Sequence, residues 1–173
     1  MRPAINLRGI QSGRVGAQAT NTIPTEARAS VDFRLVPAQT PESVRRRVER
    51  HLAALGWTVV AGTPDSATRV THDKLVRLEW GAGYPPARTP LDLPLSGEIS
   101  SVLTAIGHEP VRLPTLGGSV PMYLFQQPHG TPAIILPIAN HDDNQHAPNE
   151  NVRLRNLWDG VEVFAALFAA LSR

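Results

Sequence analysis

The sequence predicts a mixed fold, part of an α+β sandwich in its first half and part of an α/β layer in its second. Three observations carry this. Residues 29–36 alternate, with Val31, Phe33 and Leu35 on one face and Asp32, Arg34 and Val36 on the other. An amphipathic helix and a short strand follow, giving strand, strand, helix, strand. Residues 133–138 (Ala-Ile-Ile-Leu-Pro-Ile) form a continuous apolar run, the mark of a strand buried on both faces.

Element by element, residues 3–8 alternate weakly and predict a strand, with a Gly-rich turn through Gly9, Gly13 and Gly16. After the strand at 29–36, Thr40 caps a helix with Pro41 at its first position. Val44, Val48, Leu52 and Leu55 form its apolar stripe, and Gly56 stops it. Residues 57–61 predict the next strand. Residues 81–94 carry four prolines and two glycines and form a connector. Ser96 then caps a helix with the stripe Ile99, Val102, Leu103 and Ile106, closed by Gly107. A short strand is expected at 110–113, and a short helical run after Gly117-Gly118-Ser119. A last helix carries Leu157, Val161, Phe164, Phe168 and Leu171. There is no internal repeat at solenoid periods. The second half thus offers about two strands, too few for the open sheet that the run at 133–138 requires. Its neighbours are expected from another chain or from a longer sequence of which this is a piece.

Composition narrows the function. The chain has 173 residues, 42% apolar and 18% charged, enough for a real core and unlike a disordered chain. With no Cys, disulfides, thiol chemistry and Cys-ligated zinc are excluded together. No apolar run reaches the roughly 20 residues of a membrane helix, so no membrane partner is expected. No apolar stretch follows Met1-Arg2-Pro3, so the expectation is a cytoplasmic protein without a secretory leader. The net charge is only +2. Arg45, Arg46, Arg47 and Arg50 lie opposite the apolar stripe of their helix, interleaved with Glu42 and Glu49. They form a solvated face rather than a nucleic-acid stripe.

Candidate chemistry concentrates in two segments and one strand. The densest polar segment is His141-Asp142-Asp143-Asn144-Gln145-His146-Ala147-Pro148-Asn149-Glu150, just after the apolar run, where α/β folds commonly place sites. An EF-hand fails, because its Gly position falls on Ala147 and its Glu position on Arg153. Imidazole and carboxylate suit zinc, but the spacing is no self-contained zinc motif, and turn chemistry favours a solvated loop before a helix. In Leu116-Gly117-Gly118-Ser119-Val120-Pro121, two glycines allow close backbone approach to a ligand, while spacing alone favours Ser119 as a helix cap. No Gly-x-Ser-x-Gly elbow makes Ser119 a nucleophile. Arg34 presents a planar guanidinium on its strand face, suited to a bidentate grip on a carboxylate or to an exposed surface with Asp32 beside it. His51, His72, His108 and His129 are isolated and carry no assignment. Gly81-Ala82-Gly83 runs into prolines and is no phosphate loop.

Four motifs in order resemble one family: Asn21-Thr22-Ile23-Pro24; Val31-Asp32-Phe33-Arg34-Leu35-Val36-Pro37 running into Thr40-Pro41-Glu42; Gly117-Gly118-Ser119-Val120-Pro121; and Asp142-Asp143 with His146-Ala147-Pro148-Asn149-Glu150. They resemble the di-zinc exopeptidases that include aminoacylase, carboxypeptidase G, succinyl-diaminopimelate desuccinylase and carnosinase, above all the carnosinase-like dipeptidase branch. The resemblance covers nearly the whole chain. It implies a lid (dimerisation) domain over residues 1–80, an α+β sandwich in part. It further implies the C-terminal portion of a zinc-exopeptidase-like α/β catalytic domain over residues 81–173.

Residue by residue, the resemblance implies that His146 is a metal ligand. Arg34 binds the substrate carboxylate, Asn21 is a lid residue reaching the site, and Gly118 and Ser119 touch the substrate backbone. The implied cofactor is a pair of zinc ions, with Mn or Co as alternatives, about 3.5–4 Å apart and activating a water in the complete enzyme. The implied substrate is a dipeptide, other small peptide or N-acyl amino acid, and the implied partner a second copy through the lid. One departure is that the His of the carnosinase-like branch after the lid falls here on Ala82. Another is that the remaining metal ligands and the general base belong to an N-terminal segment not found in this sequence. The chain is therefore expected to be the C-terminal half of a metal-dependent amidohydrolase, inactive alone and with no metal bound. The alternative is a dimerisation or binding module without catalysis.

Overall fold

The computed structural model describes residues 2–171. The chain forms two units, one running to Ala87 and including Ser119–Leu124, the other comprising Arg88–Gly118 and the chain from Phe125 onward.

In the first unit, β1 (Ala4–Ser12) pairs antiparallel with β2 (Ala27–Arg34). The register sets Ala4 against Arg34, Ile5 against Phe33, Asn6 against Asp32 and Leu7 against Val31. Directly opposed residues share a face. Apolar Ile5, Leu7, Val31 and Phe33 therefore lie on one side, and Asn6, Asp32 and Arg34 on the other, as the alternation predicts. The expected turn at Gly9 is instead part of β1. The register shifts between Leu7 and Gly9, so Arg8 is the extra residue of a bulge and the strand continues to Ser12.

Helix α1 (Pro41–Ala54) begins as expected. Thr40 Oγ1 accepts from the Ser43 N–H (3.1 Å) and Ser43 Oγ from the Thr40 N–H (2.9 Å), a reciprocal cap with Pro41 at the first position. Gly56, at φ +82°, takes the left-handed turn that ends the helix. Helix α1 packs on β3 (Thr58–Val60), with Val44 buried. Two elements are additional to the expected order: α2 (Ser66–Thr71), capped by Asp65 through the Thr68 N–H at 2.8 Å, and β4 (Leu75–Arg77), parallel to β3. Each is too short to show a period. Trp80 packs against Phe33 (ring centroids 6.1 Å), with the Arg45 guanidinium 5.9 Å above its ring. Tyr84 stacks on Tyr123 at 5.4 Å.

In the second unit, α3 (Pro94–Ala105) and α5 (Leu154–Leu171) pack together around Ile99, Leu103 and Leu167. After the Gly117-Gly118-Ser119 segment comes a shorter helix, α4 (Tyr123–His129), whose first two residues belong to the first unit and the rest to the second. Ser96 is not the cap of α3. Leu93 holds that position with Pro94 first, and Ser96 is buried within the first turn, its N–H donating to Leu93 O at 2.8 Å. The Pro94 ring presets helical φ one turn earlier than a polar cap would.

The two strands expected in this half do not form. Residues 110–113 are irregular, with Val111 82% exposed. Residues 133–138 make no strand and are covered on one side only: Ile134 and Leu136 pack on the helix core while Ile135 is 47% exposed. A strand needs a ladder partner, and here Thr89 stands in for one. Its Oγ1 donates to Ala133 O (2.7 Å) and accepts from the Ala133 N–H (3.0 Å). Gln126 Nε2 in turn donates to Thr89 Oγ1 (3.1 Å).

The apolar stripe of α5 is also corrected. Gly160, Val163 and Leu167 face the core, whereas Trp158, Val161, Phe164 and Phe168 are exposed.

Candidate functional site

Arg34 ends β2 on the polar strand face. Its Nη1 donates to Ser119 Oγ at 2.9 Å, a bond between residues 85 positions apart in one unit. Ser119 is therefore not a helix cap; α4 starts at Tyr123, and the hydroxyl is turned to the arginine. Asp32, two residues back on the same face, pairs with Arg8 at 3.4 Å rather than with Arg34. Gly118 has room for a side chain, with Leu116 in ordinary contact at 3.7 Å from a Cβ position. Asn21 lies exposed in the segment joining β1 to β2, and among the described residues its side chain forms no hydrogen bond. The structure thus brings Arg34 and Ser119 together and leaves Asn21 apart.

His146 belongs to the other unit, in the loop 139–153. Asn140, only 5% exposed, organises this loop. Its Nδ2 donates to Asp142 Oδ1 (2.9 Å) and Asn151 Oδ1 (3.4 Å), and its Oδ1 accepts from the Arg153 N–H (2.9 Å). Arg153 also pairs with Asp142 through Nη2 and Oδ2. Gln145 N–H donates to Asp143 Oδ1 at 3.0 Å, an Asx turn, and Asn151 N–H to Asp143 O at 2.9 Å. The Asn140 amide above all, then a backbone hydrogen bond at Asp142 itself and the Arg153 guanidinium, hold the Asp142 carboxyl below its usual range. Asn144, His146 and Asn149 take left-handed backbone (φ 54°, 65° and 63°), uncommon outside glycine. The His146 side chain is exposed. The role of Asn140 was missed in the sequence, where the only hint is an amide directly after an apolar run.

Among the described residues, no group of three or more His, Cys, Asp or Glu side chains could hold a metal ion. Asp142 is committed to Asn140 and Arg153, and Asp143 to its own turn. The described residues therefore do not form a metal cage by themselves. Among them, no helix is long and apolar enough to cross a membrane.

The first of the two units thus sets an arginine without an acidic partner among the described residues beside a hydroxyl. The chain is similar to M20 peptidases, and its first third matches their dimerisation domain. Residues 1–56 match the family model described as a peptidase dimerisation domain. The Beta-Ala-His dipeptidase of Rattus norvegicus is 26% identical over 178 residues, 99% of this chain and 33% of that protein. The Cys-Gly metallodipeptidase of Schizosaccharomyces pombe is 25% identical over 163 residues, 94% of this chain and 32% of that protein. Human carnosine dipeptidase 1 superposes with a TM-score of 0.69 at 21% identity, covering 96% of this chain and 33% of that one. An M20 family metallo-carboxypeptidase from Sulfolobus solfataricus gives 0.55 at 28% identity, covering 72% of this chain and 28% of that one. The chain thus spans about a third of the length of the curated relatives it matches.

Proposed function

We propose that this chain is the substrate-gripping and dimerising part of a metal-dependent hydrolase that cleaves a dipeptide or N-acyl amino acid next to a free carboxylate. Residues 1–80 act as the lid through which two copies pair, and residues 81–173 as a portion of the catalytic domain. Arg34 takes the carboxylate, Gly118 and Ser119 line the substrate backbone, and Asn21 reaches the site from the lid. His146 supplies one ligand to a zinc site, open also to Mn or Co, whose other ligands come from outside the described residues.

The observation that carries this reading is the Arg34–Ser119 hydrogen bond, which joins two motifs far apart in sequence around a free guanidinium. The names of the relatives supply the substrate class, with β-Ala-His and Cys-Gly as the first dipeptides to try.

Titration calorimetry with each dipeptide and its C-terminal amide tests it. Binding of the free acid is expected to exceed that of the amide and to fall in Arg34→Lys, because an ammonium keeps the charge but cannot form the fork. Equal binding of acid and amide overturns the carboxylate reading. The chain with added Zn²⁺ or Mn²⁺ is expected to hydrolyse neither dipeptide, and robust chelator-sensitive turnover would show that it holds a complete centre.

A further inference from the structure

A guanidinium carries five N–H donors in a rigid fork and no acceptor. In Arg34, Nη1 is given to Ser119 Oγ, and no other hydrogen bond or ion pair engages the group among the described residues. The nearest carboxylate on the same strand face, Asp32, is turned to Arg8 instead. The cation is therefore steadied by a neutral acceptor and left without a counter-charge, although an aspartate stands two residues away.

We infer that Ser119 is a positioning residue. It fixes the Arg34 fork before any ligand arrives and, being neutral, leaves the charge of that fork for an incoming carboxylate. This deepens the proposed carboxylate role of Arg34 and rests on it. The chemistry explains why a hydroxyl suits the position. An acidic side chain at 119 would form the charge-assisted pair itself and compete with the ligand, whereas an alanine would leave the guanidinium to rotate.

Two measurements on the 173-residue chain test this. The first is the rate of rotation about the Arg34 Nε–Cζ bond, read by nitrogen-15 NMR without ligand. Rotation is expected to be slow in the wild type and in Ser119→Thr, which keeps the hydroxyl, and faster in Ser119→Ala. The second is titration with N-acetylglycine, using N-acetylglycinamide as the control. Loss of one preformed hydrogen bond should weaken N-acetylglycine binding about fivefold in Ser119→Ala. Ser119→Thr should bind like the wild type, and Ser119→Asp should lose the acid's advantage over the amide.

Equal rotation rates in the wild type and a folded Ser119→Ala overturn the inference, even if N-acetylglycine binding falls; Ser119 would then touch only the ligand. Rotation that responds to Ser119, with N-acetylglycine affinity indifferent to Arg34→Ala, keeps the positioning role and removes the carboxylate reading on which the proposed function stands.

Discussion

Asn140 and Asp142 are joined by a 2.9 Å hydrogen bond from Nδ2 to Oδ1, while Asn140 Oδ1 accepts the Arg153 N–H at 2.9 Å. One buried amide thus ties both ends of the loop that carries His146. Removing it strands the Arg153 N–H and frees Asp142. Asn140→Ala should cost about 1–3 kcal/mol in chemical denaturation, the range for a buried polar group left unsatisfied.

The same pair fixes a pH dependence. The Asp142 carboxyl is held below its ordinary value, chiefly by Asn140. A group with a depressed folded pKa contributes stability above its unfolded value, roughly pH 3.9, and loses it as pH falls through the folded value. Below about pH 4, stability should therefore decline, and Asn140→Ala should shift the Asp142 titration upward toward the ordinary carboxylate range. Carbon-13 NMR of the carboxyl carbon reads this directly; an unchanged titration would mean that the backbone hydrogen bond at Asp142 and Arg153 set it without Asn140.

Gly160 meets Ile138 so closely that an added Cβ would lie 2.8 Å from Ile138 Cγ2 and 3.1 Å from its Cβ. In an exposed helix, Gly→Ala gains about 1 kcal/mol. Here overpacking against a backbone-anchored atom should reverse the sign, for a net loss of about 1–2 kcal/mol. In the Ile138→Ala background the same substitution should cost less, and the coupling in that double-mutant cycle is the measurement.

What was legible in the sequence followed from local physics. The Thr40 cap, the Gly56 stop and the alternation that sets Arg34 opposite Phe33 are each decided within a few residues, and the structure has all three. What was not legible depends on the choice of neighbour. The run at 133–138 has strand composition but no strand partner, so it forms no strand and has a threonine side chain in place of a ladder. Helix α5 is apolar on two faces, and periodicity cannot tell which one this chain covers. The Arg34–Ser119 bond needed the fold, because spacing alone made Ser119 a cap.

The two faces of α5 give a discriminating pair of substitutions. Leu167 is 6% exposed in the core with Ile99 and Leu103, whereas Phe168 is 75% exposed. Leu167→Ala should cost about 2–5 kcal/mol, the range for cavity-forming core changes. Phe168→Ala, although it deletes a larger side chain, should stay within about 0.5 kcal/mol as a surface change. Comparable losses from both would show that the face bearing Trp158, Val161 and Phe164 is covered in solution.

The last expectation concerns assembly. The β1–β2 pair has two open edges, and its apolar face is largely uncovered: Ile5 is 70% exposed, Leu7 58% and Val31 42%. Unpaired edges recruit strands by backbone hydrogen bonding, and contiguous apolar surface favours association. These strands lie within the residues that match a dimerisation domain. Nothing in the charge opposes pairing, since Arg8 and Asp32 neutralise each other on the opposite face. At micromolar concentration, light scattering should therefore report a dimer. Leu7→Lys, which sets a charge in the middle of the exposed face at little cost to the monomer, should shift it toward monomer by at least about tenfold in dissociation constant, the equivalent of about 1.4 kcal/mol. A wild-type chain that remains a cooperative, stable monomer would show that this face does not pair two copies.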